Sequence, residues 1–241
     1  MAPSNSLLSN PLVLPEADLL LLRHGIAEPR EEGRSDAARA LTAAGRRRCA
    51  AVLTRLRQRG LAADLMLSSP LVRARQTAEL AVQTNLAPSL VLAEDLMPGG
   101  DPLSQLATWL AVVPARSGQR PRLLLVGHEP DLGDLASALI GAPAGAITLR
   151  KSGLALLRCG GPATASAMEA EAEAEAEAEA DAQTETEDAQ TVNGAGAGAD
   201  AQAETKADAE VPHNTPQRRP RRLASLRLLL TPALLVGGAE A

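Results

Sequence analysis

Apolar residues in this chain come in short unbroken runs rather than in alternation. Leu19-Leu20-Leu21-Leu22 ends at Arg23-His24-Gly25, and Leu123-Leu124-Leu125-Val126 ends at Gly127-His128. A second run lies within residues 64–68, a weaker one within 89–93, and residues 146–158 supply one or two more. Unbroken runs of this length mark strands buried on both faces, as in a mostly parallel sheet. Leu223 to Leu230 adds a late apolar segment of strand-like or helical character.

Between these runs the spacing turns helical. Thr42 is placed to cap a helix reaching about Gln58, with Val52, Leu53 and Leu56 on one side and Gly60 ending it. Ser69-Pro70 reads as a second helix start, Ser69 as N-cap and Pro70 at the first helical position. That helix carries Arg73, Arg75 and Gln76 and runs to about Thr84. After a turn at Pro98-Gly99-Gly100, Asp101-Pro102 opens a third helix, which contains Trp109. A fourth runs from about Asp131 to Ile140, stopped by Gly141 and Pro143. Residues 26–41, rich in charge and Ala, read as a loop. Strands alternating with helices predict an α/β fold, a three-layer α/β/α sandwich around a mostly parallel sheet.

The pattern also divides the chain. Residues 1–16 read as a flexible arm, residues 17–162 as the core domain, and residues 223–241 as its closing strand and tail. In between, residues 163–222 change composition abruptly: Glu and Ala alternate through Ala180, Asp, Gln, Thr and Gly follow, and a basic patch at Arg218-Arg219 and Arg221-Arg222 ends the segment. Ala is a weak strand former, and Glu171, Glu175 and Glu179 would repel one another at helical spacing. A disordered or transiently helical acidic insertion is expected there.

Charge sharpens this division. Residues 163–210 hold 14 acidic residues and one basic residue, Lys206, so the net −5 of the chain hides a net +8 elsewhere. A basic body suits an anionic substrate, and a solvated basic face would look the same. The insertion is read as an inert surface extension; in a sharper version its charge competes with substrate for the basic body.

Composition excludes some functions. Phe and Tyr are absent and Trp109 is the only aromatic, so the core must be built from Leu, Val, Ile and Ala. The same absence removes the stacking platform that single-stranded nucleic acids use, and no nucleic-acid partner is expected. Cys49 and Cys159 lack metal-ligand spacing and read as small core residues in a reducing compartment. His24, His128 and His213 show no close ligand spacing either, so no metal is expected. No signal peptide is legible. The apolar stretch from Leu223 to Val236, broken by Arg227 and Pro232, is shorter than the ~20 residues of a spanning helix. A cytoplasmic protein without a membrane partner is the expectation.

The candidate chemistry lies where the strands end. In open α/β sheets, ligands gather beyond the carboxyl ends of strands, and both His24 and His128 follow apolar runs. Metal-free phosphoryl transfer needs a nucleophile and fixed cations around the phosphoryl oxygens. A neutral imidazole is a competent nucleophile, and neighbouring guanidinium groups keep it neutral. Arginine presents planar, permanently charged donors to phosphate. Arg23, His24, Arg73 and His128 form such a set, with helix-start amides near Arg73 as further anion donors. Each residue alone is unremarkable; an isolated histidine is more often a satisfied polar residue, and Arg73 alone would be an exposed helix residue.

Together the motifs carry a resemblance. Leu22-Arg23-His24-Gly25, Leu41-Thr42 with Gly45, the run Ser68-Ser69-Pro70-Leu71-Val72-Arg73-Ala74-Arg75-Gln76-Thr77-Ala78, and Val126-Gly127-His128-Glu129-Pro130 resemble, in order and spacing, the histidine phosphatase superfamily. Leu96-Met97-Pro98-Gly99-Gly100-Asp101 and Leu149-Arg150-Lys151-Ser152-Gly153 are similar to its SixA-type phosphohistidine phosphatase branch. The resemblance spans residues 17–160 and extends to 222–236. It implies a phosphoglycerate mutase-like fold and no cofactor. It also implies that His24 accepts the phosphoryl group while Arg23, Arg73 and His128 hold it. Many relatives use a Glu between the second and third motifs as general acid. Here the nearest carboxyls are Glu94 and Asp95, without the surroundings of the phosphoglycerate mutase branch. The implied partner is a phosphorylated protein, such as a histidine phosphotransfer domain, or a small phosphorylated metabolite. The alternatives are a general small-molecule phosphomonoesterase on the same fold and a catalytically idle binding module whose acidic insertion is the working part.

Overall fold

The structure, a computed structural model, describes residues 13–115, 117–160 and 222–236. All of them belong to one compact unit. The expected disordered insertion, apart from Arg222, and most of the expected flexible arm lie outside the described residues. Within the arm's last residues, Leu14 is buried and Glu16 lies 3.3 Å from Arg120.

Six strands form one sheet: β1 (Ala17–Arg23), β2 (Leu65–Ser68), β3 (Val91–Leu92), β4 (Arg122–Gly127), β5 (Leu154–Cys159) and β6 (Ala224–Leu230). Their spatial order is β3-β2-β4-β1-β5-β6. The first four in that order are mutually parallel, and β5 and β6 are added through antiparallel ladders. Among the described residues, five α-helices flank the sheet: α1 (Ala43–Gln58), α2 (Val72–Gln83), α3 (Pro102–Ala111), α4 (Asp131–Leu139) and the short α5 (Pro232–Val236).

The leucine runs explain the layers. Successive strand residues face opposite sides, so the central strands β1 and β4 feed two cores at once. Leu19, Leu21, Leu123 and Leu125 pack with Leu106 and Leu110 of α3 and with Leu132, Leu135 and Leu139 of α4. Leu20, Leu22, Leu124 and Val126 pack with Val52, Leu53 and Leu56 of α1, Ala74 and Ala78 of α2, and Leu235 of α5. Without large aromatics, aliphatic side chains fill both layers; Trp109 is only partly buried against the first. The fold is the expected α/β/α sandwich.

Two local expectations change, and one left open narrows. The second helix begins at Val72, with Leu71 rather than Ser69 as its N-cap residue. Ser69 is instead an extension of the strand: its amide donates to the Val126 carbonyl at 2.9 Å, and its hydroxyl is committed elsewhere. The weak third strand shrinks to Val91 and Leu92, both exposed at the sheet edge, where β2 alone pairs with it. Residues 146–158 yield one strand, because Ile147 and Leu149 are buried in a loop that turns at Ser152 (φ 60°) before β5 begins.

Candidate active site

β1 and β4 run side by side and end in register, Arg23 opposite Gly127. That register brings His24 and His128 to the same edge of the sheet. Their rings lie 5.1 Å apart, centre to centre, at a tilt of 56°. Both are buried, as is Arg73 from the first turn of α2.

The surroundings of His24 fix its protonation. Its amide donates to the Gly127 carbonyl at 3.1 Å, and its Nδ1 lies 2.7 Å from the Gly25 carbonyl oxygen. A carbonyl oxygen only accepts, so Nδ1 carries the proton and Nε2 keeps its lone pair. Burial pushes the pKa of His24 down to about 3; the Gly25 carbonyl opposes this, and His128, Arg73 and Arg23 add to it. His128 is pushed down to about 4 by burial, with Arg73 adding to the shift and Asp36 opposing it. Both rings are therefore neutral near pH 7.

Two guanidinium groups are held in place by backbone. Arg23 donates from Nη1 to the Leu149 carbonyl at 2.7 Å. Arg73 donates from Nη1 to the Asp36 carbonyl at 2.8 Å and from Nη2 to Asp36 Oδ2 at 2.9 Å. What remains is a set of buried ring and guanidinium nitrogens without a protein partner: Arg23 Nε, Arg73 Nε and His128 Nδ1. Buried donors without acceptors are costly, and these three nitrogens belong to the side chains whose fields act on His24.

Several residues that shape the site carry no role in the sequence reading. Asp36 lies in the expected loop, whose base is closed by a bridge between Ala27 and Leu41. Its Oδ1 accepts from Arg30 Nε and Arg39 Nε, both at 2.9 Å. Burial opposes ionisation, but Arg30, Arg73 and Arg39 hold the carboxyl down at about 2. The Thr77 hydroxyl accepts from the Gly25 amide at 3.0 Å and donates to the Arg73 carbonyl at 2.8 Å, tying the nucleophile turn to α2. The Ser152 amide reaches the carbonyls of both Arg23 and His24 at 3.1 Å. Glu129, beside His128, is pushed up by burial, with the Leu149 amide and Arg23 opposing the shift. One of its oxygens is buried without a partner. Thr77 and Glu129 fall inside the phosphatase-like motifs, and that position was their available signal; Asp36 gave none.

The acid candidates are placed less favourably. Glu94 is exposed and Asp95 half-buried, on a turn of 3-10 helix after β3. The following turn is tied to the start of α4 by the Gly99 amide, which donates to Asp131 Oδ1 at 3.0 Å. His213 lies outside the described residues. Among the described residues no cluster of His, Cys, Asp and Glu is arranged to hold a metal, and no helix is long and apolar enough to cross a membrane. Cys49 and Cys159 are free and buried, and burial pushes their thiols up to about 11 and about 12.

Comparison with known proteins decides the family. Residues 19–97 match the family model of the histidine phosphatase superfamily, branch 1. An uncharacterised protein of Picosynechococcus sp. is 40% identical over 144 residues, which is 59% of this chain and 86% of that protein.

The chain belongs to the histidine phosphatase superfamily.

That membership makes it a phosphatase. Similar solved structures include the putative phosphohistidine phosphatase SixA of Agrobacterium tumefaciens. It is 25% identical with a TM-score of 0.49, over 59% of this chain and 90% of that one. A SixA structure complexed with tungstate is 27% identical with a TM-score of 0.49, over 58% and 86%. A mycobacterial glucosyl-3-phosphoglycerate phosphatase is 19% identical with a TM-score of 0.50, over 60% and 91%, and shares the fold.

Proposed function

We propose that this superfamily member works without a metal, through a phosphoryl intermediate on His24, and that its substrate is phosphohistidine in a signalling protein such as a histidine phosphotransfer domain. In the first step, His24 Nε2 attacks phosphorus, the bond from phosphorus to the substrate imidazole breaks, and that imidazole leaves neutral because its other ring nitrogen has taken a proton from solvent. In the second, water attacks phosphorus, inorganic phosphate departs, and His24 is regenerated. Arg23, Arg73 and His128 hold the phosphoryl oxygens in both steps, where fixed donors in a site shielded from water act strongly.

The observation that carries the reading is the convergence of three unpartnered nitrogens, Arg23 Nε, Arg73 Nε and His128 Nδ1, around a histidine kept neutral. The state of Asp36 supports the substrate class. Asp36, in contact with Arg73, stays ionised and gives no proton to a leaving alkoxide. An imidazole leaving group needs less acid assistance. The nucleophile is tested by trapping. Incubation with labelled phosphohistidine protein should leave acid-labile label on the wild type and none on His24→Ala; label on the variant would overturn the mechanism.

Glu129 supports a second reading. Its carboxyl is pushed up by burial and has an oxygen without a partner, properties of a proton donor to an ester leaving group. A small-molecule phosphomonoesterase would then lose activity on sugar phosphates in Glu129→Gln. Under the preferred reading, phosphohistidine protein outcompetes sugar phosphates in kcat/KM and Glu129→Gln changes that ratio little.

A further inference from the structure

The Ser69 hydroxyl lies 2.8 Å from His128 Nε2, with both residues buried. The same oxygen accepts from the Leu71 amide at 3.3 Å. His128 Nδ1 is buried and without a partner. We propose that Ser69 is a positioning residue that sets the tautomer of His128, donating its hydroxyl proton to Nε2 so that Nδ1 carries the N–H offered to the phosphoryl group.

Counting protons decides between the tautomers. A serine hydroxyl has one hydrogen to give. Among the described residues, the only acceptor recorded beside the Ser69 hydroxyl is His128 Nε2. Were Nε2 the protonated nitrogen, the Ser69 hydrogen would be left buried without an acceptor. His128 Nδ1 would then offer a bare lone pair to an anion. In the proposed tautomer both conflicts vanish, and the remaining N–H joins Arg23 Nε and Arg73 Nε as a buried donor without a protein partner. The neutrality of His128, pushed down to about 4 by burial, leaves the choice between the two neutral tautomers to its partner. The Ser69 backbone is held for this task as an extension of β2, its amide on the Val126 carbonyl at 2.9 Å, two residues before His128.

The inference rests on the phosphoryl-site reading for its purpose, but its primary readout needs no substrate. The chain has only three histidines, so two-bond proton–nitrogen correlation of histidine-labelled protein at pH 7.5 resolves each ring, with His128→Asn to assign the signal. The expected pattern for His128 is protonation at Nδ1. A pattern of protonation at Nε2 in the wild type would overturn the proposal, even if the protein proves an active phosphatase. In Ser69→Ala the Nδ1 pattern should weaken, kcat/KM should fall by about tenfold, and Ser69→Thr, which keeps the hydroxyl, should recover part of it. An unchanged tautomer in folded Ser69→Ala would also overturn it. If that variant does not fold, the wild-type spectrum decides.

Discussion

Asp36 grips Arg73 by both ends of its guanidinium, through its own backbone carbonyl at 2.8 Å and through Oδ2 at 2.9 Å. The partners are 37 positions apart in sequence, and the contact brings a charged loop against the proposed phosphoryl site. Arg73 Nε is left without a protein partner, and each Nη keeps a second hydrogen. Asp36→Ala should free the guanidinium to swing and lower kcat/KM by roughly ten- to a hundredfold, the weight of a charge-assisted hydrogen bond. Both variants keep the backbone carbonyl, and Asp36→Asn, which also keeps one side-chain acceptor for Nη2, should lose less. Steady-state kinetics of the two variants, with a double-mutant cycle against Arg73→Ala, checks this. Additive losses would show that the pair does not act as a unit.

The two active-site imidazoles should not titrate in the usual range. His24 has its pKa lowered to about 3 and His128 to about 4, both chiefly by burial. In NMR titrations their ring signals should hold still between roughly pH 5.5 and pH 8, the span in which an ordinary histidine changes charge. A midpoint near 6.5 for either would contradict the burial argument.

The same shift has a consequence for stability. Between the folded value of about 3 and the ordinary value of 6.5, the unfolded chain binds the proton that folded His24 refuses. Stability therefore falls as pH drops through that window. His24→Asn removes this linkage, so urea melts at about pH 7 and about pH 4.5 should converge more in the variant than in the wild type.

Thr77 offers a cleaner test of support from behind the site. Its hydroxyl satisfies the Gly25 amide and passes its own hydrogen to the Arg73 carbonyl. Thr77→Val keeps the shape but leaves a buried amide without an acceptor, at a cost of about 1–3 kcal/mol. Thr77→Ser should restore most of that loss. Denaturant midpoints measure the change in stability, and kcat/KM measures how far the His24 turn has shifted.

Gly45 stands where the first turn of α1 crosses the chain after His24. A Cβ there would run into the Ile26 carbonyl oxygen, backbone that has no flexible end to yield. Gly45→Ala should destabilise by about 1–3 kcal/mol, as overpacking does. It should also lower activity, since Ile26 is two residues from His24, the proposed nucleophile. A melting temperature equal to that of the wild type would refute the close approach.

The layers and the strand-end histidines were legible in the sequence because both are local properties. A continuous Leu19–Leu22 run suits a strand buried on both faces, and the residues just after such a strand sit at the sheet's edge. Asp36 and Ser69 were not legible in their roles, because each acts on a partner far along the chain. Ser-Pro is a good helix start locally, but the Ser69 amide pairs with the Val126 carbonyl and the helix begins three residues later, at Val72. Helix α1 keeps its expected cap. Thr42 accepts from the Gly45 amide at 2.9 Å while its own hydrogen turns to the Ile26 carbonyl at 3.4 Å, since donating and accepting do not compete for one hydroxyl.

The direction of β5 bears on what can be attached to this domain. β5 is antiparallel to β1, with Cys159 opposite Ala17, and β6 starts again beside Cys159 at Ala224. Gly160 and Leu223 therefore stand at the end of the sheet opposite His24. Any change in the length of residues 161–221 would therefore reach the sheet only through Gly160 and Leu223, at the end away from the backbone around His24.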